Sequence, residues 1–124
     1  MKLLKSIAVA AALAAAFAPA AATAQVFGRN VVRVDQRGAD NGAAVAQTGA
    51  GNAARINQRG DGNTGRIVQN GDANRACLYQ RGNGLDGEIV QNGDRQSTVA
   101  VQTNTGTRVG QGHVIVGRLV YQCR

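Results

Sequence analysis

The chain has 124 residues, with 17 Gly, one Pro, no Trp, two Phe, two Tyr, and 14 basic against seven acidic side chains. So few large apolar residues exclude an ordinary globular core, because Ala, the commonest apolar type here, buries little area. Order must come from another source, such as backbone hydrogen bonding between regularly stacked strands, and the length suits a single domain.

Residues 1–24 read as an export segment. Lys2 and Lys5 form a positive start, an apolar run follows from Ile7 to Ala18, and Ala22-Thr23-Ala24 meets the small-x-small rule for signal peptidase, placing cleavage before Gln25. The run is too short for a transmembrane anchor, so the mature chain is expected to be exported with no membrane span. Cleavage removes both lysines and leaves twelve Arg against seven acids, a net charge of +5. That charge either favours anionic surfaces, lipopolysaccharide, host glycans or extracellular DNA, or keeps an adhesive chain soluble in transit.

Residues 25–102 form a repeat of 11 residues. Gln recurs without a slip at Gln25, Gln36, Gln47, Gln58, Gln69, Gln80, Gln91 and Gln102. Two residues later comes Gly: Gly38, Gly49, Gly60, Gly71, Gly82 and Gly93. Five later comes Asn30, Asn41, Asn52, Asn63 or Asn74, giving way to Leu85 and Gln96. Seven later stands a small residue, Ala43, Ala54, Gly65, Ala76, Gly87 or Thr98, with Val32 in the first unit. Nine later stands an aliphatic: Val34, Val45, Ile56, Ile67, Leu78, Ile89 and then Ala100.

The Asn, small, aliphatic and Gln columns are spaced by two, the period of an extended strand with those positions on one face. The residues after each Gln, such as Arg59-Gly60-Asp61-Gly62, are turn formers. Each unit is therefore one strand and one tight turn, and two units make a 22-residue rung. The expected fold is all-β, a β-solenoid with rungs stacked at about 4.7–4.9 Å. Its interior is expected to hold aliphatic ladders and stacked Gln and Asn amides, each amide donating to the next and so avoiding the cost of an isolated buried polar group, about 1–3 kcal/mol.

The pattern Gln-x-Gly-x-x-Asn-x-Ala-x-x-x-Gln resembles the curlin repeat of curli fibre subunits. Gln36-Gly38-Asn41-Ala43-Gln47, Gln47-Gly49-Asn52-Ala54-Gln58 and Gln69-Gly71-Asn74-Ala76-Gln80 match it fully, and the unit from Gln58 differs only at Gly65. The units from Gln80 and Gln91 depart further, and Asn stands where the family opens each 22-residue repeat with Ser. The resemblance implies self-polymerisation into amyloid fibres, secretion through outer-membrane machinery, contact with other curli subunits, adhesion and a place in biofilm matrix. It leaves open whether the chain is a major subunit or a nucleator. A monomeric β-solenoid adhesin is the alternative reading of the same repeat.

No constellation for catalysis, cofactor or metal is visible. His113 is the sole His, and Asp40, Asp61, Asp72, Asp86 and Asp94 lie in or just beyond turns. Arg37, Arg59 and Arg81 are 22 apart and are expected to stack along one edge, as a column that slows premature assembly, an anion-binding stripe or a merely solvated edge. Residues 103–124 break the repeat, and Val114-Ile115-Val116 and Leu119-Val120-Tyr121 read as one or two strands that cap or dock. Cys77 and Cys123 are a candidate disulfide in an exported chain. Continued as a solenoid, the tail would place them two rungs apart, about 9.5 Å, against a limit of about 7 Å between Cα atoms. Either the tail folds back onto the outer face near Cys77, which is the favoured reading, or the thiols are free or link subunits.

Overall fold

The computed structural model describes residues 21–24 and 29–123, with side chains from residue 29 onward. Most of the export segment, including Lys2, Lys5 and the apolar run, lies outside the described residues, as do Gln25 and Arg124. The described strands are β1 Ala21–Ala24, β2 Val31–Arg37, β3 Gly42–Thr48, β4 Ala53–Arg59, β5 Thr64–Asn70, β6 Arg75–Arg81, β7 Asp86–Asn92, β8 Ser97–Thr103, β9 Gly106–Gly110, β10 His113–Val116 and β11 Leu119–Gln122. No helix occurs among the described residues.

The fold is a β-solenoid of about three coils. Strands β2 to β8 alternate between two parallel sheets, ordered β1-β3-β5-β7 and β2-β4-β6-β8-β9. Every pairing among β2–β8 joins residues 22 apart: Val34 to Ile56 to Leu78 to Ala100 in one sheet, and Val45 to Ile67 to Ile89 in the other. The pairing of β1 with β3 is shifted, Ala21 lying opposite Ala44. That separation of 23 is off the repeat by one residue, and a one-residue slip exchanges the faces of a strand; β1 is thus not a further unit.

Strands of seven residues alternate buried and exposed positions, most plainly in β5 and β7. The inward aliphatic and small residues form one continuous core of Ala43, Val45, Ala54, Ile56, Ile67, Ala76, Leu78, Ile89 and Ala100. Ala and Gly alternate with Val, Ile and Leu along each strand, which lets two sheets interdigitate with side chains too small for a conventional core.

Hydrogen bonding does not stop at the strand ends. Gly60 N donates to Arg37 O and Gly62 N to Ala39 O, both at 2.9 Å, and the same pair of bonds joins the later turns. The turns therefore stack as tightly as the strands. The glycine two residues after each Gln serves this contact: Gly60 has φ +117°, and a Cβ there would run into the carbonyl of Gly82 in the next turn. Two residues further on, Asp40, Ala73 and Arg95 share the left-handed φ of +57°. That second column is exposed and takes side chains.

The apolar runs near Val114 and Leu119 form two strands, β10 and β11, within the one or two expected, and a further tail strand, β9, precedes them. After β8 the chain reverses at Asn104-Thr105, and β9 runs antiparallel along the edge of β8, Thr103 opposite Gly106 and Val99 opposite Gly110. The β10–β11 hairpin packs on the outward face of β6 and β8. There Cys77, Val99, Val101, Val114 and Cys123 form a second core, flanked by Tyr79, Val116 and Tyr121. Cys77 and Cys123 are joined in a disulfide with Cα atoms 5.4 Å apart. The reversal at β9 brings them together, which a continued solenoid would not do.

Candidate functional site

The buried Gln column builds two ladders. In one sheet Gln36 Nε2 donates to Gln58 Oε1 at 2.7 Å, Gln58 to Gln80 at 2.8 Å, and Gln80 to Gln102 at 2.8 Å. In the other, Gln47 donates to Gln69 at 2.7 Å and Gln69 to Gln91 at 2.8 Å. From Gln47 onward the second hydrogen on Nε2 crosses the core to a carbonyl of the facing sheet: Gln58 to Gly42 O at 2.8 Å, Gln80 to Thr64 O at 2.8 Å, Gln69 to Ala53 O at 3.1 Å. A primary amide suits this task because it carries two donors and one acceptor oxygen on a planar head. One hydrogen ties rung to rung and the other ties sheet to sheet. All five rung-to-rung bonds point the same way, so the ladders have a donor end at the C-terminal side and an acceptor end at the N-terminal side.

The small column makes room for these amides. A Cβ at Gly65 would approach Gln58 Nε2 and Leu78 Cδ2 at 3.1 Å each, and one at Gly87 would run into the Gln102 head. The aliphatic residues Val34, Val45, Ile56, Ile67, Leu78 and Ile89 sit between the amide and small columns and are shut in by them.

The Asn column behaves differently from the expectation. Asn41, Asn52, Asn63 and Asn74 are buried, but their amides do not stack on one another. Asn41 Nδ2 donates to Gly60 O at 2.8 Å, while its Oδ1 accepts from Asn63 N at 3.0 Å. Asn30, Asn52, Asn63 and Asn74 repeat the pattern. The reason is the strand boundary: each strand begins one residue after the Asn, which occupies the last turn position. There a short amide reaches backbone and not its counterpart one rung away. The turn acids and amides act alike, Ala39 N donating to Asp61 Oδ1 and Asp61 N to Asn83 Oδ1, both at 2.8 Å. Asp61 and Asn83 thus cap the backbone of the turn before them, whereas the column asparagines bond the turn after them.

A family model for the curlin associated repeat matches residues 28–60 and again 60–93, together more than half of the 124 residues. The chain belongs to the curlin-repeat family. No curated protein and no solved structure matches it.

The second match ends at Gly93, early in the unit from Gln91, and the structure gives one departure in that unit a role. Thr98, in the small column, is not a decayed Ala: its Oγ1 accepts the terminal donor of one amide ladder, Gln91 Nε2, at 3.0 Å. Thr98→Val keeps the shape but leaves that donor unpaired. The substitution should lower the unfolding free energy by about 1–3 kcal/mol, measured by urea denaturation, whereas Thr98→Ser should stay close to the parent.

Outward positions divide by sheet. Arg37, Arg59 and Arg81 lie in register and exposed, and Arg81 donates to Tyr121 Oη at 3.0 Å. Arg55 lies 5.9 Å over the Tyr79 ring and 3.6 Å from Asp35. The other sheet carries the exposed Arg66–Glu88 pair at 2.9 Å and an exposed Asn70-to-Asn92 amide bond at 2.9 Å. The fold-back of the tail expected near Cys77 seals Cys77, Val99 and Val101 from solvent, while Val90, equally outward on the other sheet, is 53% exposed. His113 is exposed at the start of β10.

Proposed function

We propose that the chain is a structural, non-enzymatic subunit of an extracellular curli-type fibre, exported by cleavage after Ala24 and growing by addition of rungs. The single observation that carries this reading is the uniform ladder of Gln36, Gln58, Gln80 and Gln102 with its partner Gln47, Gln69 and Gln91. Successive rungs make the same Gln-to-Gln bond, so the bond inside one chain can serve between chains. Stacked repeat architectures add units by nearest-neighbour interfaces, and an unpaired strand edge templates the next strand. The family supports the same reading, including passage through outer-membrane secretion machinery, contact with other curli subunits, and roles in adhesion and biofilm matrix. The in-register Arg column supports binding of anionic surfaces or extracellular DNA.

The test uses the chain lacking residues 1–24, incubated at high concentration in both oxidised and dithiol-reduced forms. The fibre reading expects thioflavin-positive filaments by electron microscopy in at least one form. A chain that stays monomeric in both contradicts it and returns the monomeric adhesin as the better description.

A further inference from the structure

We propose that residues 103–123 are a latch that closes the C-terminal end of the solenoid against rung addition, and that the Cys77–Cys123 disulfide holds it shut. The inference rests on the fibre reading and concerns the control of growth. A subunit arriving at this end must continue the alternation between the sheets, laying its own β2 on the free edge of β7 and its β3 on the free edge of β8. The β8 edge is already taken: β9 runs antiparallel along it from Val99 to Thr103. A four-residue turn joins β2 to β3, so a copy whose β3 is shut out cannot carry its chain past β2.

Two further features treat this end as a terminus and not as an interrupted interior. The donor of one amide ladder, Gln91 Nε2, is taken up by Thr98 Oγ1. Asn104 stands where the turn glycine is due. Its Oδ1 accepts from Asn83 N at 3.0 Å and its Nδ2 donates to Asn83 O at 2.9 Å, so one side chain replaces the bonds of a stacked turn. The N-terminal end is the opposite. Strand β2 is paired on one side only among the described strands, and the buried Oε1 of Gln47 has no donor among the described residues. That acceptor lies 22 residues on from Gln25, the preceding member of the column, which is outside the described residues.

The disulfide is what makes the closure durable. β9 has five residues against seven in a repeat strand, and four of the five are exposed. On its own it is a weak competitor for a parallel strand that brings a Gln amide and an aliphatic with it. Cys123 ties the far end of the tail to β6, beneath Val114 and beside Tyr121, so β9 cannot swing off β8 while the bond is intact. Reduction by a dithiol, which delivers two electrons and two protons to give two thiols and leaves the reductant as a disulfide, frees that end. The oxidised chain can join a fibre only by its N-terminal edge and stops the end it joins.

Seeds sheared from fibres of reduced chain are offered three monomers: oxidised wild type, dithiol-reduced wild type, and the Cys77→Ser/Cys123→Ser chain without reductant. Elongation is followed by thioflavin fluorescence and by electron microscopy of labelled seeds. Reduced wild type and the double variant should elongate at similar rates, and the oxidised chain at least about tenfold more slowly, as for an end that is competent only in a minor state. Because the wild-type pair has one sequence, the comparison stands even where serine at the buried position 77 impairs folding. Elongation by oxidised chain within about twofold of reduced chain, where the competent fraction is hardly changed, overturns the latch and leaves the fibre reading standing. Failure of reduced chain and of the double variant to elongate also overturns the latch, and a reduced chain that yields no fibres to shear overturns the fibre reading itself.

Discussion

Gln58→Ala should lower the unfolding free energy of the oxidised monomer by about 3–5 kcal/mol. Gln58 is fully buried and stands in the middle of its ladder. Its removal leaves Gln36 Nε2 without its acceptor and takes the donor from Gln80 Oε1, Gly42 O and Asn63 O. It also opens a cavity between rigid sheets whose spacing is fixed by backbone bonds, so the site cannot collapse to relieve the loss. The neighbouring outward residue supplies the control: Thr64 is exposed, and Thr64→Ala should stay within about 0.5 kcal/mol of the parent. Urea denaturation of the two variants checks both figures. Equal costs would contradict the inward place of Gln58 and the outward place of Thr64.

Gly60→Ala should be the more damaging of two chemically identical changes. Gly60 has φ +117° and lies against the Gly82 carbonyl; Gly84 has φ +64° with open space around it. The added methyl at Gly84 meets only the cost of a left-handed conformation, about 1–2 kcal/mol. At Gly60 the turn must move off its neighbour, which breaks the Gly82 N to Arg59 O bond at 2.9 Å and loosens the Asn63 Nδ2 bond to Gly82 O at 2.8 Å. The expected cost is about 3 kcal/mol or more, in the range reserved for named structural faults. Thermal melts that rank the two variants the other way would mean the turns do not stack as described.

The sequence made the solenoid legible because the columns that matter most are invariant in type and phase. Gln at every eleventh position and the aliphatics Val34 to Ile89 fix which face is inside, and period two then assigns the rest. Asn63 was misjudged for a physical reason. Its spacing matches an inward strand position, but a strand end is set by where the backbone turns, and a short amide at that boundary finds carbonyls before it finds its own kind. The left-handed column of Asp40, Ala73 and Arg95 was unreadable for the converse reason. Its exposed turn site holds Gly51, Gly62 and Gly84 as well as Asp40, Ala73 and Arg95, so no single type marks it.

The tail was partly legible. The loss of glycine at Asn104 and the apolar runs near Val114 and Leu119 mark an end to the repeat. That β9 would reverse onto β8 is carried by Asn104-Thr105, a pair that fits a loop as well as a two-residue hairpin. Val99 and Val101 belong to the second core because the hairpin covers them; Val90 has the same character and no cover. The difference lies in tertiary packing and has no local signature.

Fibre diffraction on aligned filaments of the chain lacking residues 1–24, grown under reducing conditions, tests most directly whether subunits join as further rungs of one solenoid. Rung addition predicts a sharp reflection at about 4.7–4.8 Å along the fibre axis and a broad one near 10 Å across it, the strand and sheet spacings of the monomer carried on between copies. A strand reflection lying across the axis, or filaments without one, would contradict the account.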